Sequence, residues 1–161
     1  MKHLLNKRIF TAGAVAVILL FTFSACKKSK KDDIDPIQRV TVTLSGAQEV
    51  PANSSTGTGT AQIAYDPTYK TISYQISWQL GSATATTINM HFHGAENGSD
   101  IISSPVAIGI TGFTSNYIGS LSGATRPLTA EEEHQLLDGK WYLNIHSSTV
   151  PGGELRGNIK F

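Results

Sequence analysis

The stretch Ile72-Ser73-Tyr74-Gln75-Ile76-Ser77-Trp78 sets four large apolar side chains against three small or polar ones in strict alternation. Successive side chains of a β-strand point to opposite faces, so Ile72, Tyr74, Ile76 and Trp78 share one buried face. The same period recurs on either side. Val40, Val42 and Leu44 alternate with Thr41, Thr43 and Ser45; Ile63 and Tyr65 with Gln62 and Ala64; Ile88, Met90 and Phe92 with Asn89, His91 and His93. Further candidates are Val106–Ile110, Tyr117–Leu121, Trp141–His146 and Leu155–Ile159. Turn-forming clusters separate them, among them Pro51-Ala52-Asn53-Ser54-Ser55, Asp66-Pro67 and Pro151-Gly152-Gly153. About eight short strands with one buried face each predict an all-β, antiparallel sandwich or Greek-key barrel.

One helix interrupts the pattern near residues 129–138. Thr129-Ala130-Glu131-Glu132 places a hydroxyl at the N-cap and a carboxylate three positions on, the signature of a capping box. Leu136 and Leu137 are expected to pack inward, and Gly139 suits the left-handed position after the helix. Helix-start chemistry accounts for Glu131, Glu132 and Glu133 without a metal. His134, on this acidic helix, is expected to be solvated.

Composition narrows the function. At 161 residues there is room for one ordinary domain. The single cysteine, Cys26, excludes an intramolecular disulfide and any zinc site built on two thiolates. Residues 1–38 carry seven Lys/Arg against three Asp/Glu, and residues 39–161 carry six against nine. A folded part that is mildly acidic argues against nucleic acid as a partner.

The N-terminus has the three-part layout of a secretory signal. Lys2, Lys7 and Arg8 precede the uncharged run Ile9–Phe23, which is short for a membrane span, and Ser24-Ala25 supply small residues before Cys26. Phe23-Ser24-Ala25-Cys26 resembles the lipobox of bacterial lipoproteins, although Phe23 stands where Leu is usual. The resemblance implies a signal over 1–25, acylation of Cys26 (with palmitate among the expected chains) and a membrane-anchored mature protein. Lys27-Lys28-Ser29-Lys30-Lys31-Asp32-Asp33 then reads as part of a charged tether over 26–38. With Lys rather than Asp directly after the cysteine, the resemblance to bacterial lipoproteins implies a cell envelope location at the outer membrane, on its periplasmic or surface face.

Chemistry concentrates at the histidines. His91 and His93 are two apart in a strand and therefore share a face, opposite Met90 and Phe92. Trp141-Tyr142-Leu143-Asn144-Ile145-His146 repeats the pattern, with Tyr142, Asn144 and His146 facing away from Leu143 and Ile145. If the two strands are neighbours, three imidazoles converge, a donor set suited to copper or zinc with an open position. Glu96, Asp100 and Glu154 lie in adjoining loops as carboxylates that could orient them. The competing expectation is that the histidines only brace the loops 94–100 and 147–153. In Pro151-Gly152-Gly153-Glu154-Leu155-Arg156-Gly157, two glycines allow positive φ, Glu154 and Arg156 share a face, and Gly157 permits close backbone approach. Arg156 is expected to pair with a carboxylate, clamp an anion or lock the hairpin. No Ser-His-Asp set or other nucleophile–base pair has motif support, which disfavours an enzyme.

In order along the chain, Leu44-Ser45-Gly46-Ala47-Gln48-Glu49-Val50-Pro51, Gly57-Thr58-Gly59, His91-Phe92-His93-Gly94, Leu136–His146 and Pro151–Gly157 resemble the CHRD domain, and the likeness covers about 41–160 within a domain set at 39–161. It implies an immunoglobulin-like β-sandwich and a non-enzymatic binding or adhesion module with a protein or glycan ligand. The His-X-His strand followed by a later His and Arg is also similar to copper–zinc superoxide dismutases, which are Greek-key barrels. That similarity implies His91, His93 and His146 as copper-type ligands and Arg156 as an anion-guiding residue. The chain departs from it in having no disulfide and no bridging-histidine zinc loop, and only ten positions separate His146 from Arg156.

Overall fold

The structure is a computed structural model that describes residues 36–94 and 102–161. Its strands are β1 (Gln38–Ser45), β2 (Thr58–Asp66), β3 (Thr71–Gln79), β4 (Thr87–Gly94), β5 (Val106–Gly109), β6 (Ile118–Ala124), β7 (Trp141–Ser147) and β8 (Leu155–Ile159). One helix, α1 (Ala130–Leu137), precedes β7. All the strand pairings are antiparallel and form a single curled sheet in the order β5-β4-β7-β8-β1-β2-β3-β6. Its middle is narrow: β1 and β8 meet through one register pair, Ser45 with Arg156. The sheet therefore folds into two four-stranded halves that face each other, as in a sandwich.

Alternation along each strand fills the space between the halves. In one half, Val42, Ala61 and Ile76 fall in register as an inward row. In the other, Met90 pairs with Ile145, which pairs with Leu155. Tyr74 on β3 meets Phe92 on β4 edge-on at 5.5 Å across the layers, and Phe92 leans on Trp141 of the neighbouring strand at 6.3 Å. The alternation slips at the start of β4, where the register to β7 shifts between Thr87 and Asn89. Thr87 turns inward, and Ile88, expected in the core, is 40% exposed.

The helix begins as expected. Thr129 accepts from the Glu132 N–H, and Glu132 accepts from the Thr129 N–H. Glu132 also takes two 2.7 Å bonds from Arg126, which hold its carboxyl at about 2. Glu133 accepts from the Tyr65 hydroxyl and from Lys70, and Glu131 from Gln135. These carboxylates are thus engaged in helix and tertiary contacts. Leu136 is buried, but Leu137 is 44% exposed, because adjacent helical positions lie about 100° apart and only one faces the sheet. Gly139 adopts φ +70° after the helix, and His134 is largely exposed beside Asp138.

A difference between the two halves positions the site. The outer face of β1-β2-β3 is open to solvent at Thr41, Thr43, Thr60, Gln62, Ser73, Gln75 and Ser77. The outer face of β4-β7-β8 is covered by the segments around Glu49 and Ser104, so Tyr142, Asn144 and Arg156 are buried although they point away from the core.

Candidate metal centre

β4 and β7 are direct neighbours, His91 standing opposite Asn144 and Asn89 opposite His146. This pairing brings the three histidines together. The His91 ring meets His93 at 5.6 Å and His146 at 5.1 Å, nearly perpendicular in both cases. One nitrogen from each ring lies within 4.8 Å of the other two. His91 Nδ1 and His146 Nε2 are 3.3 Å apart, long for a hydrogen bond. Two ligands bound to one ion at 2.0–2.1 Å stand roughly 3.3–3.6 Å apart in tetrahedral or trigonal geometry. The His91–His146 spacing already meets that requirement, and the remaining closure is an ångström or so of side-chain movement.

Backbone carbonyls decide which nitrogens are available. His93 Nδ1 donates to Ser104 O at 2.8 Å, and His146 Nδ1 donates to Pro151 O at 2.8 Å. A carbonyl only accepts, so the neutral ring carries its proton on Nδ1 and leaves an Nε2 lone pair. His93 Nε2 is buried with no protein partner. Burial, with the neighbouring histidines, holds His91 and His93 below the ordinary imidazole value of 6.5. Both effects favour the neutral form that metals bind. Loop bracing and ligation are thus compatible: one nitrogen of His93 and of His146 braces a loop, and the other faces the cluster.

The surroundings depart from the sequence-based expectations at Glu154 and Arg156. Glu154 does not support the histidines. It accepts from Ser55 Oγ at 2.7 Å and Gly81 N–H at 2.6 Å; burial pushes its carboxyl up, but these donors outweigh it and the net shift is downward. Glu96 and Asp100 lie outside the described residues; among the described residues the Ser104 and Pro151 carbonyls orient His93 and His146. Arg156 shows no exposed surface, stacks on Tyr142 and donates to Ile102 O at 2.9 Å. A guanidinium so enclosed does not face solvent to guide an anion; its contacts run to Tyr142 and the segment at Ile102. Of the two glycines expected at positive φ, only Gly153 adopts it, at +129°.

Glu49 was not singled out for chemistry by the sequence. It is buried, accepts from Asn144 Nδ2 and lies near Arg156; burial raises its carboxyl to about 7 against the opposing pull of that cation. A signal was present, since Glu49 is the sole charged residue between Arg39 and Asp66.

The CHRD family model matches residues 40–159. The chain belongs to the CHRD domain family. No curated protein matches it, and no solved structure does. In this CHRD domain the stretches that resemble the family in sequence also build the site: His91 and His93 line it, the run from Pro151 supplies one orienting carbonyl, and Glu49 accepts from Asn144 on β7.

Proposed function

We propose that this CHRD domain is a non-enzymatic, envelope-tethered module that binds one copper or zinc ion through His91, His93 and His146. The observation that carries the reading is the convergence of three imidazole nitrogens within 4.8 Å, with two of the rings already locked in the metal-accepting tautomer. Neutral nitrogen donors favour copper and zinc over oxygen-seeking cations. The test is metal analysis and Cu2+ or Zn2+ titration of residues 36–161 purified without a His tag. One equivalent and a rise in Tm are expected, both lost in the His91→Ala/His146→Ala double variant and kept in His134→Ala. Substoichiometric metal with no thermal shift would sink the reading.

A second reading, an uncharged ligand such as a glycan, is favoured by the open outer face of β1-β2-β3. Hydroxyl and amide side chains, together with Arg39, Tyr74 and Trp78, line two depressions there, of about 400 and 660 Å³. Glycan-array binding that survives the double histidine variant would support it as a separate activity.

A further inference from the structure

Of the three histidines in the cluster, His93 is the most closely held. It stands opposite Tyr142 across the β4–β7 ladder, and the two rings are parallel to within 2°, centroids 4.6 Å apart. The Arg156 guanidinium covers the other face of the phenol, with Cζ 3.4 Å from its centroid. Imidazole, phenol and guanidinium thus form a three-layer stack over adjacent strands. Each layer also holds the same short piece of chain. Arg156 Nη2 donates to Ile102 O at 2.9 Å, Ser104 N–H donates to the Tyr142 hydroxyl at 2.9 Å, and Ser104 O accepts from His93 Nδ1 at 2.8 Å.

We propose that Tyr142, backed by Arg156, is a positioning residue for His93 as a metal ligand, a role that rests on the metal-binding reading. The phenol ring fixes the imidazole plane, and its hydroxyl fixes the carbonyl that keeps the His93 proton on Nδ1. An imidazole left alone has two tautomers and two ring flips, and only one combination aims a lone pair from Nε2 into the cluster. The buried Nε2, without a protein partner, is the atom this arrangement serves. Partners that orient a metal-bound histidine typically change metal affinity 10–100-fold. A purely structural tyrosine, acting only as filler under the 102–104 segment, predicts something else: Tyr142→Phe keeps the ring, and with it the tautomer and the affinity.

The experiment compares wild type, Tyr142→Phe and Tyr142→Leu by Zn2+ titration against a competing chelator and by ring 15N NMR of the metal-free proteins. Zn2+ affinity is expected to fall about tenfold in Tyr142→Phe and further in Tyr142→Leu. The His93 signals move away from the Nδ1–H pattern, while those of His146, held separately by Pro151 O, stay put. An unchanged His93 spectrum in Tyr142→Phe overturns the proposal whatever the affinity does. Should Tyr142→Leu fail to fold, Tyr142→Phe decides by the same criteria. Should wild type take up neither Zn2+ nor Cu2+, the metal reading falls, and the His93 spectra of the metal-free proteins still decide whether Tyr142 positions that ring.

Discussion

Glu49 shows at the scale of one residue how the covered face alters chemistry. Its carboxyl is raised from 4.5 to about 7, chiefly by burial. An unfolded chain releases this proton near 4.5, whereas the folded one keeps it until about 7, so between those values the native state binds more protons and stability falls as pH rises. Urea unfolding at pH 4.5, 6 and 8 should show wild type losing on the order of 2–3 kcal/mol across this window relative to Glu49→Gln, which carries no titrating proton. His91 and His93 act with the opposite sign. Their values are lowered, so the unfolded chain protonates first and stability is lost as pH falls through 6.5 toward the folded values. Parallel profiles for wild type and Glu49→Gln would show that folding leaves the Glu49 carboxyl titrating as it does in the unfolded chain. The histidines were legible in the sequence because period two alone puts His91, His93 and His146 on outward faces. The fate of Arg156 was not, because alternation tells which face a side chain takes but not whether a distant segment, here 102–104, covers that face.

The element scale shows where local rules suffice and where they fail. The capping box of α1 was readable because all its atoms lie within four residues. Thr129→Ala removes one of its reciprocal bonds and should cost about 1 kcal/mol in urea unfolding; a loss under a few tenths would mean that Arg126 and Glu132 hold the helix start unaided. The bulge that exposes Ile88 was not readable, since it arises from pairing with β7, more than 50 positions away. Gly157 on β8 is a clearer case of long-range demand. A Cβ there would lie 2.7 Å from Thr43 O and 2.5 Å from Val42 Cγ1. The valine can turn, but the β1 carbonyl cannot move without disturbing the narrow joint between the halves. Gly157→Ala is expected to destabilise by about 1–3 kcal/mol, or more if the joint opens. A variant as stable as wild type would show that β1 and β8 have slack.

At the scale of the whole molecule, the two proposed roles, anchoring and metal uptake, fall on different stretches of sequence. The histidine cluster is carried by β4 and β7 alone, within one half of the sheet, whereas β1, to which the N-terminal tether leads, heads the other half. Among the described residues the cluster is built from β4 and β7 with carbonyls of the 102–104 and 147–153 segments, so anchoring and metal uptake are expected to be separable. Two acyl chains give stable membrane attachment where one is marginal, and the lysines after Cys26 add roughly 1 kcal/mol each only near an anionic surface. If the cysteine is acylated as its flanking residues imply, the full chain with Cys26→Ser should lose incorporation of labelled fatty acid. Cleavage before residue 26 should fail with it, and the protein should leave the detergent-extracted membrane fraction at high salt. Its Zn2+ titration should nevertheless match that of the anchored form. Continued labelling, or membrane retention at high salt, would show attachment by another route. A changed titration would mean that the tether reaches the cluster, and that the division of labour drawn from the sheet order is wrong.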